Sequence, residues 1–257
     1  MKARPSRRSS PLRPAHRRSA RTARFARRLL LAVLLAALVL GLTEWVRGHP
    51  GDVPWGPLSL ADPVGRFTPL KLDRLHGDFP GCRAVLDAAG QRYDVLAPVR
   101  ASSAQCGYAD GVRLSNARAF GYAPAAAVAC PLAAALFLWR HQVIDPAADR
   151  RFGQPVTGIE TYGSYNCRRI GHASEGPYSE HATANAIDVV AFRLRDGRRI
   201  AVARDWSGRG AAAAFLRDVR DGGCRIFGTT LSPDYNAAHR DHLHLDSARR
   251  GGWGYCR

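Results

Sequence analysis

The hydrophobic positions of the 257-residue chain follow two patterns. Residues 29–46, LLLAVLLAALVLGLTEWV, form a nearly continuous apolar run in which Glu44 is the one charged residue. Beyond residue 70, apolar residues instead occur in short groups that alternate with polar positions or recur at helical spacing. A continuous run is typical of a membrane-spanning helix or a signal-peptide core, whereas short periodic groups are typical of a globular domain. The pattern therefore predicts an apolar helix followed by one folded domain.

Helical spacing predicts two helices in that domain. The run PLAAALFLWRHQVI begins at Pro131, a residue suited to a first helical turn, and predicts a buried helix with Trp139 in the core. The run GRGAAAAFLRDVRDGG predicts a second helix that ends at Gly222 and Gly223. Upstream of both, CRAVLDAAGQRYDVLAPV and GVRLSNARAF are interpreted as short strands and turns.

Alternating and β-branched segments predict the remaining strands, which are VTGIETYGSYN, NAIDVVAFRL, RRIAVA, CRIFGTTL and DHLHLD. Asp196 and Gly197 separate the second of these from the third, and this pair is typical of a β-hairpin turn. Because strands and helices mix without a regular βαβ repeat, the predicted class is α+β. We expect a small, mixed, mainly antiparallel sheet with flanking helices.

The net charge of +17 belongs mostly to one tail. Residues 1–28 contain eleven Lys or Arg and no acidic residue, and subtracting these from the chain's 38 leaves 27 basic against 21 acidic residues. The remainder of the chain therefore has a net charge of only +6. This distribution argues against a nucleic-acid-binding domain, so no nucleic-acid partner is predicted.

The basic tail and the apolar run together predict a topology. No A-x-A-like cleavage site follows the run, and Trp45 stands where an interfacial aromatic would, which favours a retained signal anchor over a cleaved signal peptide. The run is nevertheless short for a membrane span. The positive-inside rule predicts a single-pass inner-membrane protein with a cytoplasmic N-terminus and a periplasmic domain. The predicted segments are a tail at 1–28, an anchor at 29–46, a Pro/Gly-rich linker at 47–69 and the domain at 70–257.

The six cysteines support an exported domain. They are Cys82, Cys106, Cys130, Cys167, Cys224 and Cys256, all beyond the apolar run and none in a C-x-x-C pair. An even number of scattered cysteines in an exported protein predicts three disulfides, in one of fifteen possible pairings. Among these we expect Cys167 to pair with Cys224, since each adjoins an element that leads towards the histidines discussed next.

Two histidine-containing stretches suggest metal chemistry. SEHATANAIDV places His181 and Asp188 seven positions apart, and HRDHLHLD places His242 and His244 on one face of a strand. Zinc is commonly held by imidazole nitrogens and a carboxylate with one position left open, so His181, Asp188 and His244 could form such a site. For His181 and Asp188 alone, a hydrogen-bonded structural pair is the alternative. The histidines at positions 76, 141 and 172 carry no pattern and are expected to be ordinary.

These stretches resemble a known zinc signature. The pattern Ser179-x-His181-x-x-Ala184-x-Ala186-x-Asp188, followed by Asp241-x-x-His244, is similar to that of D-Ala-D-Ala carboxypeptidases, related wall-lytic endopeptidases and the Hedgehog signalling domain. More closely, residues 82–256 resemble the bacterial extensin-like C-terminal domain family, through CPLAAALFLW, GSYNCR, SEHATANAID, FLRDVRDGGCRIFGTTLSPDYN and HRDHLHLD. The superfamily usually has glycine where Ala184 stands, a mild departure unless that position needs a positive φ.

The resemblance implies a Hedgehog/DD-peptidase-like fold and zinc as cofactor. It implies His181, Asp188 and His244 as the zinc ligands, Asp241 as general base, and His242 in a substrate-side or transition-state role. On a regular strand Asp241 would face away from both histidines, so residues 239–241 must form a turn or bulge.

Three further residues are candidates for the site. Arg168, expected on the strand before the first ligand, could stabilise an oxyanion, or be a surface residue beside a disulfide. Ser179 could orient His181 by a hydrogen bond or simply begin its segment. His239 could belong to the active site or to a solvated loop.

The sequence therefore predicts a membrane-anchored periplasmic zinc hydrolase that cleaves amide bonds in peptidoglycan stem peptides, as a DD- or LD-type carboxy- or endopeptidase. The alternative is a non-catalytic, zinc-stabilised module that binds the cell wall. Asp241 distinguishes the two, because a purely structural site needs ligands but no base.

Overall fold

The computed structural model describes residues 16–114 and 120–257, which form two compact units, one ending at Gly48 and one spanning His49–Arg257. In the first unit, helix α1 spans His16–Gly48. Its segment Thr22–Gly48, of 27 residues, is long and apolar enough to cross a membrane or to act as a signal sequence. This helix contains the whole predicted apolar run. Residues 1–15 of the predicted tail lie outside the described residues.

The domain begins earlier than predicted. Residues 49–69, expected as a linker, belong to the same compact unit as the rest of the domain. Val53 and Leu60 are buried, and the backbone N–H of Val64 donates to Oε1 of Gln142 at 2.7 Å. Helix α2 (Thr68–Asp73) follows, and Lys71 reaches back to donate to the Pro50 carbonyl at 2.8 Å. The segment is therefore packed against the domain.

The segment CRAVLDAA is helical, and its interpretation as strands and turns was wrong. Helix α3 spans Phe79–Ala88. Asp78 caps its start, because the Asp78 Oδ1 accepts a hydrogen bond from the Gly81 N–H at 3.0 Å. Cys82 and Leu86, four residues apart, are both fully buried, so helical spacing rather than alternation decides the structure here.

Three short strands form a small antiparallel sheet after α3. Strands β1 (Tyr93–Val95), β4 (Gly111–Leu114) and β6 (Ala127–Ala129) lie in the order β1-β4-β6. Strands β2 (Val99–Arg100) and β3 (Gly107–Tyr108) pair separately. The predicted strand at the start of GVRLSNARAF is confirmed as β4, while residues 115–119 lie outside the described part.

The predicted buried helix is confirmed as α4 (Cys130–Trp139), which continues through a π-helical turn at Arg140–Ile144 into α5 (Asp145–Phe152). Trp139 is fully buried, and its Nε1–H donates to the Val219 carbonyl at 2.8 Å. Its ring packs against Phe192 and Phe227, each with ring centroids 5.8 Å away. The core thus lies between the α4–α5 helices and the main sheet.

The main sheet carries the candidate site. Its strands are β5 (Gly121–Ala123), β7 (Val156–Gly163), β8 (Ala186–Leu194), β9 (Arg199–Ala201), β10 (Thr229–Leu231), β11 (Leu243–Asp246) and β12 (Tyr255–Cys256). Their order is β12-β10-β11-β8-β7-β5, with β9 also paired to β8. The pairs β5–β7 and β10–β12 are parallel, and the other pairs are antiparallel.

Helices α6 (Val202–Asp205) and α7 (Ala211–Gly223) lie between strands β9 and β10 in the chain. The predicted hairpin is confirmed, since β8 and β9 are antiparallel and Asp196 and Gly197 lie in the turn between them. The second predicted helix is confirmed as α7, which ends at Gly223. The α+β class with mainly antiparallel strand pairs is confirmed as well.

All six cysteines form disulfides, which confirms the three-bridge framework. The pairs are Cys82–Cys130, Cys106–Cys167 and Cys224–Cys256, so the expected pairing of Cys167 with Cys224 was wrong. Cys224 directly follows helix α7, and β10 is the next strand in the chain. Because β10 pairs with β12, Cys256 on β12 lies close enough to bond to Cys224. Two cysteines that each lie close in sequence to the candidate site therefore need not lie close to each other.

Candidate metal centre

His181 lies in a short 3-10 turn, Glu180–Thr183, between strands β7 and β8. Its Nδ1 lies 2.6 Å from the backbone carbonyl oxygen of Ser164, to which it donates. This bond leaves the Nε2 lone pair free to face the neighbouring strands. Ser179 precedes the turn, and its Oγ accepts from the His181 N–H at 3.3 Å. Ala184 ends the turn at φ +57°, in the left-handed region that favours glycine, so this position does have a positive φ.

Asp188 and His244 face each other across two strands. They are register partners in the antiparallel pair β8–β11, so their side chains lie on the same face of the sheet. Oδ1 of Asp188 lies 3.0 Å from Nδ1 of His244 and 3.2 Å from Nε2 of His181. The two imidazole nitrogens are 3.2 Å apart. The structure therefore brings together the three residues that the sequence proposed as ligands.

The charges within this group are strongly coupled. Burial alone would raise the pKa of Asp188, but its hydrogen bonds with His181 and His244 hold that pKa well below its usual range. Burial alone would lower the pKa of His244, but its contacts with Asp188 and Asp246 raise it to about 9. A proton and a metal cation therefore compete for the same place between these side chains, because each supplies positive charge beside the Asp188 carboxylate.

Asp246 is a residue of the candidate site that the sequence analysis missed. It is buried on β11, two residues after His244 and on the same face. Its Oδ2 lies 3.2 Å from Nε2 of His244, and its Oδ1 accepts from the Ala248 N–H at 3.0 Å. A carboxylate on the far nitrogen fixes the tautomer that leaves Nδ1 available as a ligand. The available signal was the i, i+2 spacing of His244 and Asp246 on a predicted strand.

His242 and Asp241 lie at the edge of the ligand group. Asp241 lies in a turn, as predicted, and His242 follows it just before β11, so the prediction that His242 is on the strand with His244 was wrong. Nε2 of His242 lies 3.6 Å from Oδ1 of Asp188, while its Nδ1 lies 2.9 Å from Oδ1 of Asp241. Tyr162 donates its hydroxyl to the other Asp241 oxygen at 3.1 Å. The hydrogen bond with His242 lowers the pKa of Asp241. The same hydrogen bond orients the imidazole of His242, which lies closer to the ligands than Asp241 does.

A groove with a volume of about 570 Å³ opens beside the ligand group. Asp188, His242 and His244 line it, together with the cationic, aromatic and polar side chains Arg168, His172, Tyr178, Ser179, Tyr235, His239 and Tyr255. The groove thus combines the ligands with groups able to bind a polar substrate.

Arg168 takes a different setting from the one expected, and His239, for which two settings were predicted, lines the groove. Arg168 lies in the loop after β7 rather than on a strand, because β7 ends at Gly163. Its Nε is buried without a hydrogen-bond partner. His239 hydrogen-bonds Asn236 through Nδ1 at 2.7 Å. Burial, followed by the neighbouring histidines, lowers its pKa to about 4, which keeps it neutral at physiological pH.

The donor set suits zinc. Two imidazole nitrogens and one carboxylate oxygen converge, both histidines have fixed tautomers, and the three side chains are 3–13% exposed.

Comparison with known proteins identifies one family match. The family described as "Extensin-like protein C-terminus" matches residues 80–257. No curated protein and no solved structure matches the chain.

Proposed function

The chain belongs to the family of extensin-like protein C-termini, and since that description states no reaction, we propose from the site that this protein is a zinc-dependent hydrolase of amide bonds. The proposed substrates are the stem peptides of peptidoglycan. The observation that carries the proposal is the convergence of His181, Asp188 and His244 next to an open groove. A hydrolytic zinc site characteristically has three protein ligands and a position left open to water or substrate.

A relation to the D-Ala-D-Ala carboxypeptidase and Hedgehog superfamily, and to its fold, is part of this proposal. It is supported by the spacing of the ligand motif, together with the antiparallel pair that sets Asp188 opposite His244. The left-handed backbone of Ala184 is consistent with a glycine at that position in relatives.

Zinc, when bound, polarises a carbonyl and makes bound water more acidic. The chain's own residues supply the remaining chemistry. His242 lines the groove, and its Nε2, which lies 3.6 Å from Oδ1 of Asp188, can take up a proton there, while Asp241 accepts a hydrogen bond from its Nδ1–H. Tyr162 in turn fixes Asp241. We therefore assign the base to the Asp241–His242 pair, with His242 Nε2 as the atom that receives the proton.

Arg168 is proposed to stabilise negative charge that develops on the substrate. Arg168 lines the groove and makes no salt bridge with any residue of the described chain. A fixed cation in a partly water-excluded groove stabilises an oxyanion more strongly than a solvated one does.

The proposed location is the inner membrane, with residues 1–28 in the cytoplasm and the domain in the periplasm. The charge of the tail supports this orientation. The three disulfides support an oxidising compartment for the domain.

The test combines metal analysis with digestion of purified muropeptides by the full chain in detergent. Wild type should hold about one zinc and release fragments. His244→Ala should lose both properties, whereas Asp241→Asn and His242→Gln should keep zinc and lose roughly 10²–10⁴-fold in rate, the usual contribution of a general base. His141→Ala is the matched control, because His141 is exposed and lies outside the groove.

The outcomes separate the hydrolase from a wall-binding module. Zinc at full occupancy in His244→Ala would refute the metal site. Wild type that holds zinc and binds murein, but releases no fragment, would support the non-catalytic module instead. If Asp241→Asn keeps the wild-type rate while His242→Gln does not, Asp241 has no part in the base.

A further inference from the structure

A second polar cavity adjoins the groove. It has a volume of about 560 Å³, and Glu180, Ala248 and Arg250 line both spaces. None of the three proposed metal ligands, all within the described chain, lines this cavity. A molecule held beside the ligands can therefore extend past Glu180 and Arg250 into the second cavity.

One part of the cavity wall offers polar groups that are not fully paired. Asn185 is 6% exposed, and its Nδ2 donates to Oε2 of Glu180 at 2.6 Å, while its Oδ1 has no hydrogen-bond partner. Asp110 forms no salt bridge within the described residues, and burial raises the pKa of its carboxyl. Nε2 of His76 is also buried without a partner. These groups suit a ligand that donates hydrogen bonds and carries positive charge.

Another part of the wall is cationic. Arg249 and Arg250 are both exposed and line the cavity. Arg250 donates to Oγ1 of Thr229 at 3.0 Å, and Arg249 makes no salt bridge among the described residues. Arginine side chains of this kind bind carboxylates through paired N–H groups.

We propose that this cavity binds a zwitterionic amino-acid head group, in which a primary ammonium stands beside a carboxylate. The ammonium is received by Asp110 and the Oδ1 of Asn185, and the carboxylate by Arg249 and Arg250. A metal cation fits less well, because the arginines repel it. A simple anion fits less well, because Asp110 and Glu180 repel it.

As a subsite for substrate, the cavity rests on the proposed hydrolase function. The head group then belongs to a part of the substrate that lies away from the metal ligands and from the bond that is cut. As a binding site it stands independently, because the metal ligands take no part in its wall.

Three probes with the same acylated five-carbon chain isolate the two charges. Nε-acetyl-lysine, as separate L and D enantiomers, presents both the ammonium and the carboxylate. N-acetylcadaverine presents the ammonium alone, and 6-acetamidohexanoate presents the carboxylate alone. Binding to the full chain in detergent is measured by ligand-observed NMR. One enantiomer of Nε-acetyl-lysine should bind at least tenfold more tightly than either single-charge probe.

Variants assign each charge to its side chain. Asp110→Asn should weaken the ammonium-bearing probes about tenfold and leave 6-acetamidohexanoate unchanged. Arg249→Gln should weaken the carboxylate-bearing probes about tenfold and leave N-acetylcadaverine unchanged. Asp94→Asn, at an exposed position on β1 outside the cavity, is the matched control and should change neither.

The same titrations in His244→Ala separate this proposal from the hydrolase. Retained binding there supports a site that is independent of the metal, even if wild type cleaves no peptide. Equal affinity for all three probe types, or unchanged binding of Nε-acetyl-lysine in both Asp110→Asn and Arg249→Gln, overturns the proposal, even if wild type cleaves muropeptides.

Discussion

Both imidazoles of the candidate metal site are fixed by a hydrogen bond on the ring nitrogen that faces away from it. For His181 the partner is the Ser164 carbonyl, and for His244 it is the Asp246 carboxylate. A carboxylate partner both orients the ring and makes it a better ligand. Mutagenesis can therefore remove the hydrogen-bond partner of His244 but not that of His181, because a backbone carbonyl is not removed by changing a side chain.

At this scale Asp246→Ala should reduce zinc affinity by roughly 10–100-fold, the usual cost of losing such a partner. Asp246→Asn should lose less, since its amide oxygen can still accept from Nε2 of His244. Competition with a chromogenic chelator measures the affinity, and Asp94→Ala serves as an exposed control. Equal zinc affinity in Asp246→Ala and wild type would show that the ring needs no such support.

Ala184 gives a second prediction for a single residue. Its left-handed backbone costs an alanine roughly 1–2 kcal/mol, but its fully buried methyl contributes about 0.8 kcal/mol. These terms nearly cancel, so Ala184→Gly should change the free energy of unfolding by less than about 1 kcal/mol and keep zinc. Ala184→Val should be destabilised by about 2 kcal/mol or more, because a β-branched residue is strained at positive φ. Denaturant titration compares them, and similar stability for the two variants would contradict the strain argument.

The sequence identified site residues when the motif itself carried the information. The two histidine-containing stretches and their resemblance to a zinc signature identified His181, Asp188 and His244 as one group. Ser164 was missed because a backbone carbonyl has no sequence signature. Tyr162 was missed because its contact with Asp241 joins residues 79 positions apart and depends on how β7 lies beside β8.

Among the elements, segments with one unambiguous period were predicted well. Helix α4, helix α7 and the β8–β9 hairpin all lie where their patterns placed them. Helix α3 was misread because it is short and a glycine stands in its first turn. The local signal that could have corrected the reading is the Asp78 cap followed by Pro80.

The cap of α3 provides a prediction at this scale. Asp78→Ala should lower the free energy of unfolding by about 1 kcal/mol, because the Gly81 N–H loses its acceptor at the start of the helix. Asp78→Asn is the matched control, since its side-chain oxygen can still cap the helix. Urea unfolding followed by circular dichroism measures both. A loss in Asp78→Asn as large as in Asp78→Ala would mean that charge, rather than the hydrogen bond, stabilises this end.

At the scale of the whole molecule, long-range packing decided what the sequence could not. The disulfide pairs join residues 32 to 61 positions apart, and pairing by proximity in sequence failed for Cys167 and Cys224. Prolines in residues 49–69 suggested a linker, but Val53 and Leu60 find buried positions in the domain. The proline and glycine content of a segment indicates only its local backbone preferences. Whether its apolar residues are buried depends on the surface that the rest of the chain provides.

The N-terminal helix carries the last prediction. The predicted run of 18 residues spans only about 27 Å, but at 1.5 Å per residue the 27-residue segment Thr22–Gly48 spans about 40 Å, more than the roughly 30 Å of a hydrocarbon core. The chain should therefore stay in the membrane fraction after carbonate extraction with its N-terminus intact.

Because each arginine at the centre of a span costs about 2.5–3.5 kcal/mol, Leu35→Arg combined with Leu38→Arg should release the chain from the membrane. The same two substitutions at Thr22 and Ala23, at the polar end of this segment, should not. A mature N-terminus beyond Gly48 in wild type would instead identify the helix as a removed signal sequence.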